Sequence, residues 1–156
     1  MKITILGASG FIGRHLGMAL RARGDVVTTA SLRSARLAAN ACNGADVVVN
    51  LAGEPVAQRW SASVKEKIRT SRVDAVRALM TELASVTNKP AAYVSASAVG
   101  YYGTSETATF DETSGPGNDF LAGVCVAWEE EADRAAALGM RVAKVRTGLV
   151  LGSDGG

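Results

Sequence analysis

Short apolar runs alternate along this chain with longer segments in which apolar residues recur at helical spacing. The runs that predict five strands are residues 2–6, 25–30, 46–51, 91–95 and 141–145. The segments that predict helices are residues 11–23, 34–42, 61–86 and 119–138. A polar loop is expected over residues 100–118. Because strands and helices alternate, the pattern predicts an α/β fold with a doubly wound parallel sheet and helices on both faces.

Composition and charge exclude several classes of function. The 156 residues allow one domain with a sizeable core. A net charge of +2 without a basic stripe gives no indication of nucleic-acid binding. Two cysteines outside any CxxC pair and a single histidine do not supply a zinc site, so no metal is expected. No membrane span and no cleavable leader are visible, so the expected location is cytoplasmic, with reduced thiols.

The glycines between the first strand and the first helix carry the strongest chemical signal. The segment GASGFIG places Gly7, Gly10 and Gly13 where a buried strand turns into a helix. Gly7 allows the sharp turn, Gly10 lets backbone N–H groups approach a pyrophosphate, and Gly13 lets the helix pack close to the sheet. The pattern predicts a Rossmann-type dinucleotide site, with a ligand-free turn as the alternative. The cofactor contacts predicted in this loop are Gly7, Ser9, Gly10, Phe11, Ile12 and Gly13.

The end of the second strand indicates which dinucleotide is bound. NAD-binding proteins of this type usually carry Asp or Glu there for the ribose 2′-hydroxyl. Residues 30–34 instead read ASLRS, with Ser31 and Arg33 and no carboxylate. Because a hydroxyl and a guanidinium suit a 2′-phosphate, NADP(H) is expected in preference to NAD(H). An exposed loop position without a ligand is the alternative for Arg33.

Residues 50–54, which read NLAGE, follow the third strand at the edge where ligands bind in open α/β sheets. Leu51, Ala52 and Gly53 are expected to line the cofactor, and Gly53 leaves room for it to pass. Glu54 is expected near the nicotinamide, with an exposed loop glutamate as an equal alternative.

Six segments together resemble the extended short-chain dehydrogenase/reductase superfamily. They are GASGFIGRHL (7–16), NLAGEPVAQRW (50–60), IRTSRVDA (68–75), SASAVGYYG (95–103), DFLAGVCVAWEEEA (119–132) and RTGLVLGSDGG (146–156). More narrowly, they resemble the atypical epimerase-family subgroup, which includes a human epimerase-family protein and a plastid-division factor. The resemblance implies an NADP(H)-binding Rossmann domain over residues 1–156 and a small-molecule substrate of unknown identity. Related proteins often pair through their long helices, so the resemblance also allows a homodimer.

Two departures from the superfamily pattern affect the expected fold. Only about a dozen residues separate Arg33 from Asp46, which is too few for a full βα unit. One edge βα unit of the sheet is therefore expected to be shortened or missing. Members of the superfamily are usually much longer, so this chain resembles their N-terminal part only. The smaller substrate lobe, which is C-terminal in the family, is expected to be absent from this chain.

The usual catalytic group of the superfamily is incomplete in this sequence. It consists of a serine and a Tyr-x-x-x-Lys pair, in which the ammonium lowers the phenol pKa from about 10. The helix after residue 119 offers only Phe120/Val124 or Leu121/Cys125 at that spacing, and Lys144 lies in a strand without a matching tyrosine. The sequence therefore supports cofactor binding more strongly than catalysis.

The resemblance still indicates candidate catalytic residues. Ser97 matches the superfamily serine and is assigned to a substrate carbonyl, and Tyr101 is the candidate for a displaced proton donor. A strand-end serine and a packed loop aromatic are the alternatives. Arg72 stands where the wider family carries an asparagine that faces the site, with a surface salt bridge as its alternative. Residues 129–131, three glutamates, are expected on a solvated helix face, and Trp128 in the core or an interface.

Three functions remain open from the sequence. The first is an NADP(H)-dependent oxidoreductase or epimerase that uses an atypical proton donor. The second is a catalytically inactive nucleotide-binding regulator, such as a redox sensor or a factor related to cell division. The third is a structural interaction module that has retained the fold.

Overall fold

The computed structural model of the protein describes residues 1–155, and its five strands form one parallel sheet. The strands are β1 (Lys2–Leu6), β2 (Val26–Ala30), β3 (Val47–Asn50), β4 (Ala92–Ala98) and β5 (Arg141–Thr147). The helices are α1 (Phe11–Ala22), α2 (Ala35–Cys42), α3 (Ala62–Thr70), α4 (Val73–Ala84) and α5 (Phe120–Ala137). The strand order β2-β1-β3-β4-β5 confirms the predicted α/β architecture. No helix among the described residues is long and apolar enough to cross a membrane.

The shortened unit lies at the β2 edge of the sheet. The eight-residue helix α2 begins after Ser34, whose hydroxyl accepts a hydrogen bond from Leu37 N. This helix returns the chain from β2 directly to β3, on the other side of β1. Within residues 1–155 no strand lies beyond β2, which confirms the expected loss of one edge unit.

Helices lie on both faces of the sheet, but unevenly. The helix α1 packs against β1 and β2 on one face, whereas α2, α4 and α5 contact one another in series on the other. Side chains from three neighbouring strands line up beneath these three helices, with Val48 beside Tyr93 and Tyr93 beside Val142. A core cluster of buried residues forms here and includes Leu79, Trp128 and Ala132. This packing fixes α5 firmly against the ends of β4 and β5.

The prediction of one long helix over residues 61–86 is wrong. Two helices form instead, because Ser71 and Arg72 between them bind the segment after β3. The Ser71 hydroxyl accepts a hydrogen bond from Glu54 N at 2.9 Å, and the Arg72 guanidinium donates to Glu54 O at 2.9 Å. The boundary of the loop after β4 also differs, since β4 extends to Ala98 and a short 3-10 helix follows over Val99–Tyr102.

Candidate functional site

A cavity of about 590 Å³ opens at the carboxyl edge of β1, β2 and β3. Three of the segments predicted to bind a cofactor line it, namely residues 7–10, 31–33 and 51–54. Ser71 and Ala75 close it from the side of α4. The other predicted residues, Phe11, Ile12, Gly13, Ser97 and Tyr101, are not part of its wall. The structure therefore brings the predicted dinucleotide segments together in one groove.

Close backbone packing explains two of the glycines. Gly7 has a φ of +82°, and a Cβ there would lie 2.7 Å from Ala52 N. A Cβ on Gly13 would lie 2.5 Å from Gly7 O and 2.7 Å from Ala8 Cα. Side chains at either position would collide with backbone that has no room to move, so the turn keeps α1 and the segment after β3 in contact with the loop.

The N-terminus of α1 is open to a ligand. Three other helices begin with side-chain caps, in which Ser34, Ser61 and Asp119 accept hydrogen bonds from first-turn N–H groups. The cap residue of α1 is Gly10, which offers no such oxygen. Gly10 N donates to Gly7 O, and the first hydrogen bond into this helix runs from Arg14 N to Gly10 O, so among the described residues the N–H groups of Phe11, Ile12 and Gly13 have no partner and are free for an anion. Such an end, beside the groove, fits the pyrophosphate of a dinucleotide.

The loop after β2 presents a hydroxyl and a guanidinium to the groove. Arg33 N donates to Ser31 Oγ at 3.3 Å, which holds the two residues in one turn. Both residues are exposed and line the cavity. Arg33 forms no ion pair with the described residues. A second cavity of about 430 Å³ adjoins the first and is lined by Arg33 and by Lys67 of α3. Two cations and one carboxylate, that of Glu54, therefore line this end of the groove, which leaves an excess of positive charge there.

A buried polar pair sets the position of the segment after β3, and sequence reasoning missed it. Asn50 Nδ2 donates to Tyr93 OH at 2.9 Å, and Ala52 N donates to Asn50 Oδ1 at 3.1 Å. Burial raises the pKa of the Tyr93 phenol far above its ordinary value, so Tyr93 stays neutral and acts as a fixed partner. The pair turns the chain so that Ala52 meets Gly7.

Glu129 is not on a solvated helix face, so that prediction is wrong. It is 5% exposed, and its carboxylate accepts a hydrogen bond from Ser97 Oγ at 2.6 Å. Arg146 donates to both carboxylate oxygens, at 2.8 and 2.9 Å. Burial raises the pKa of Glu129, but hydrogen bonds from Arg146 and Ser97 outweigh it and hold the pKa below its ordinary value. The sequence signal was a lone carboxylate on the apolar face of α5, between Cys125 and Ala132.

This network decides what Ser97 offers. The Ser97 hydroxyl has one proton, and it donates that proton in a hydrogen bond to the ionised carboxylate of Glu129. Ser97 is 3% exposed, and in this arrangement it presents only acceptor lone pairs to any further group. Glu131, which was also predicted on the solvated face, is half-buried and forms ion pairs with Arg77 and Arg134.

Two tyrosines pack around the same arginine. The Arg146 guanidinium carbon lies 3.5 Å from the centre of the Tyr101 ring, and Arg146 Nη1 donates to Tyr102 OH at 3.0 Å. Tyr101 is half-buried and stands edge-on to Tyr102. A guanidinium over the face of an aromatic ring is attracted by the ring quadrupole. The structure thus places a positive charge beside Tyr101, supplied by a strand rather than a helix.

Arg72 is half-buried inside the fold rather than at a surface salt bridge. Its guanidinium carbon lies 5.2 Å from the centre of the Trp128 ring. A Cβ on Gly53 would lie 2.8 Å from that carbon. Trp128 is in the core, as predicted, and its Nε1 has no hydrogen-bond partner in the described part of the chain. Cys125, the residue at the lysine spacing, is a buried thiol close to Arg72, and burial raises its pKa.

Metal binding finds no support in the described residues, which contain no group of three or more His, Cys, Asp or Glu side chains able to hold an ion. His15 lies on the surface and pairs with Asp154 at 3.1 Å.

The chain is similar to known proteins in both sequence and structure. It is 39% identical over 177 residues to an epimerase family protein SDR39U1 homolog, chloroplastic, of Arabidopsis thaliana, and covers 51% of it. The crystal structure of human epimerase family protein SDR39U1 with NADPH superposes with a TM-score of 0.86 at 30% identity, covering all of this chain and 56% of that one. A short-chain dehydrogenase/reductase superfamily protein of Agrobacterium tumefaciens with bound NAD shares the fold, at 20% identity and a TM-score of 0.77, with 94% of this chain and 48% of that one covered.

The match to these relatives confirms the resemblance to the epimerase-family subgroup. The chain spans about half the length of the curated relatives it matches. Residues 3–154 match the sequence profile described as the NAD dependent epimerase/dehydratase family. The chain belongs to the NAD dependent epimerase/dehydratase family.

Proposed function

We propose that the groove binds NADP(H), with Ser31 and Arg33 at the 2′-phosphate and the N-terminus of α1 at the pyrophosphate. The observation that carries the proposal is one continuous cavity joining the glycine loop, the Ser31–Arg33 turn and residues 51–54. The human relative whose structure contains NADPH supports the choice of cofactor. The phosphate ester adds two negative charges at the electropositive end of the groove, where a charged hydrogen bond contributes about 1.5–3 kcal/mol.

The cofactor preference is tested by titrating NADPH and NADH into wild type, Arg33→Ala and Arg36→Ala. Arg36 is the matched control, because it is exposed on the adjoining helix and lines neither cavity. Wild type and Arg36→Ala are expected to bind NADPH at least about tenfold more tightly than NADH. Arg33→Ala is expected to lose this preference through weaker NADPH binding alone. An unchanged preference in Arg33→Ala would remove Arg33 from the site.

Catalysis is the second part of the proposal. We infer an oxidoreductase or epimerase activity in which Tyr101 donates or accepts the proton beside Ser97, on a substrate of unknown identity. When bound, the cofactor would supply the hydride if Tyr101 donates the proton and would take it up if Tyr101 accepts the proton, and this chain places the Arg146 guanidinium over the Tyr101 ring. In the full-length protein, hydride transfer to a panel of carbonyl compounds is expected to be abolished in Tyr101→Phe and strongly reduced in Ser97→Ala.

A catalytically inactive regulator, such as a redox sensor or a factor related to cell division, is the alternative, and one observation favours it. The only proton of Ser97 is donated to Glu129, and the helix that carries the tyrosine and lysine in the wider family has Leu121 and Cys125 at that spacing. Tight NADPH binding by the full-length protein without oxidation of any carbonyl compound would establish this alternative. A structural interaction module, the third function, predicts that no nucleotide co-purifies.

The remaining features of the proposal concern the whole protein. We place a substrate-shaping lobe in the part of the relatives that this chain does not cover, which makes residues 1–156 the NADP(H)-binding domain. A homodimer through the long helices and a cytoplasmic location, in keeping with the buried and unpaired Cys42 and Cys125, complete the proposal. Light scattering of the full-length protein measures the oligomeric state directly.

A further inference from the structure

Arg72 carries a positive charge that no acidic side chain neutralises. Within residues 1–155 its guanidinium has no carboxylate within 4.0 Å, unlike Arg146, which pairs with Glu129. Its guanidinium donates two hydrogen bonds to the described residues, both from Nη1, to Glu54 O at 2.9 Å and to Ile68 O at 3.2 Å. Those acceptors are neutral carbonyl groups. The Arg72 guanidinium is therefore held by carbonyl dipoles, and its positive charge can interact with other groups nearby.

The surroundings of Arg72 strengthen the field of this charge. Its guanidinium lies over the Trp128 ring, and the buried thiol of Cys125 is close by. Desolvation lowers the pKa of Arg72, but an arginine so far above neutrality stays charged. A charge in such a setting is screened much less by salt than one at the surface. The Glu54 carboxylate attracts it without forming an ion pair, and Arg72 donates instead to the Glu54 carbonyl.

The Arg72 guanidinium lies directly behind a residue that lines the groove. Arg72 touches Gly53, one of the residues that line the 590 Å³ cavity. The Ser31–Arg33 turn follows β2 and Gly53 follows β3, so the glycine loop after β1 lies between them, while Arg33 and Glu54 also line the second cavity. If the 2′-phosphate is held at Arg33 and the pyrophosphate at α1, the nicotinamide end of the cofactor is left for the side where Gly53 and Arg72 lie.

We propose that Arg72 makes the site distinguish the two redox states of the cofactor, favouring NADPH over NADP⁺. The inference rests on the proposed function, because it assumes that the groove binds NADP(H). The two forms differ by one positive charge on the nicotinamide ring, and a fixed guanidinium beneath the wall repels the charged ring and not the neutral one. A binding protein with this preference reports the reduced fraction of the cofactor pool even if it never turns the cofactor over.

Binding measurements test this without any substrate. Dissociation constants for NADPH and NADP⁺ are measured by calorimetry for wild type, Arg72→Gln, Arg72→Lys and Arg69→Gln. Arg69→Gln is the matched control, since it removes the same charge from an exposed position on α3 that already pairs with Asp74. Wild type is expected to bind NADPH about tenfold more tightly than NADP⁺. This ratio should fall to near one in Arg72→Gln, mainly through tighter NADP⁺ binding, and should persist in Arg72→Lys and Arg69→Gln.

The outcomes separate this inference from the function on which it rests. If neither form binds wild type, the proposed function fails. If both forms bind and Arg72→Gln keeps the wild-type ratio, the redox preference does not come from Arg72, while NADP(H) binding stands. Thermal unfolding checks that Arg72→Gln is folded, and Arg72→Met, which keeps an unbranched stem against Trp128, replaces it if it is not. Equal affinities of wild type for the two forms would overturn the inference without any variant.

Discussion

At the glycine-loop end of the sheet the tight contacts join backbone atoms, whereas at the ends of β4 and β5 they join charged side chains. Gly7 and Gly13 allow the loop to approach Ala52 and the first turn of α1, and no ion pair takes part. Ser97, Glu129 and Arg146 instead meet in a buried hydrogen-bonded cluster that includes a bidentate ion pair. Glycines, which have no side chain, shape the glycine-loop end, whereas paired polar side chains shape the ends of β4 and β5.

This difference distinguishes the residues that we expect to bind a dinucleotide from those that we expect to stabilise the fold. A backbone-lined loop with free N–H groups at a helix end suits any dinucleotide, because it binds phosphates that every such cofactor shares. A cluster whose donors and acceptors are already paired has little left to offer a ligand. We therefore expect substitutions at the glycine loop to remove cofactor binding, and substitutions in the Glu129 cluster to change stability first.

The largest effect is expected for Gly13→Val. The new side chain would meet Gly7 O and Ala8 Cα, and backbone at both points prevents relaxation. We expect a loss of about 3 kcal/mol or more in the free energy of unfolding, together with loss of NADPH binding, measured by urea denaturation and calorimetry. Gly17→Ala on the same helix is the control, since its Cβ would meet only the Arg21 and Ile5 side chains, and alanine favours a helix interior. Equal NADPH affinity in Gly13→Val and wild type would contradict the role of the loop.

Glu129→Gln is expected to have the next largest effect, on stability rather than binding. It leaves Arg146 with a neutral partner, and removal of one member of a buried ion pair costs about 3–5 kcal/mol. Because Arg146 retains 18% side-chain exposure, we expect about 2 kcal/mol, less than for a fully buried pair. NADPH affinity should stay within about twofold of wild type.

The control for this substitution is the neighbouring carboxylate. Glu130 is exposed on the same helix, so Glu130→Gln is expected to change the free energy of unfolding by less than about 0.5 kcal/mol. A tenfold loss of NADPH affinity in Glu129→Gln, with normal stability, would show that the cluster belongs to the cofactor site. The proposed division between the two ends would then be wrong.

Tyr93→Phe tests the link between the two ends, because Tyr93 in β4 positions Asn50 beside the glycine loop. Removal of the phenol oxygen leaves Asn50 Nδ2 buried without its acceptor. We expect a loss of about 1–2 kcal/mol in the free energy of unfolding and a smaller loss of NADPH affinity. Tyr101→Phe is the comparison for stability, since the Tyr101 hydroxyl makes no hydrogen bond with residues 1–155, and it should leave the free energy of unfolding unchanged. A larger loss in the free energy of unfolding for Tyr101→Phe than for Tyr93→Phe would show that Tyr101, not Tyr93, has the structural role.

Sequence reasoning succeeded where local pattern decides structure. The strands, the Gly7–Gly13 turn and the convergence of residues 31–33 and 51–54 follow from periodicity and from the rule that parallel strands end at one edge. It failed where distant side chains decide. The break at Ser71 and Arg72 depends on Glu54, 17 and 18 residues earlier, and helical periodicity carries no trace of that contact.

The prediction that Glu129 lies on a solvated face was wrong for the same reason. Ser97 and Glu129 are 32 residues apart, and Arg146 is 17 residues beyond Glu129. In a single sequence, three consecutive glutamates near the middle of a helix are typical of a solvated face. The one available signal was position, because residue 129 continues the apolar stripe that Cys125 and Ala132 share. Charge on an apolar stripe, followed by an arginine in the next strand, is therefore the pattern that predicts such a buried pair.

The smallest expected effect is the acid dependence of the same ion pair. The pKa of Glu129 in the folded chain lies below the ordinary value of about 4.3 that it has when unfolded. Its ionised form therefore stabilises the fold fully above that unfolded value, and this contribution is lost as the pH falls through the folded pKa. Urea denaturation of wild type and Glu129→Gln between pH 7 and pH 3 measures the loss. The stability difference between them should stay constant down to about pH 5 and narrow only below about pH 4. A difference that narrows instead between pH 7 and pH 5 would mean that Glu129 is held protonated by its burial, and that Arg146 does not govern its charge.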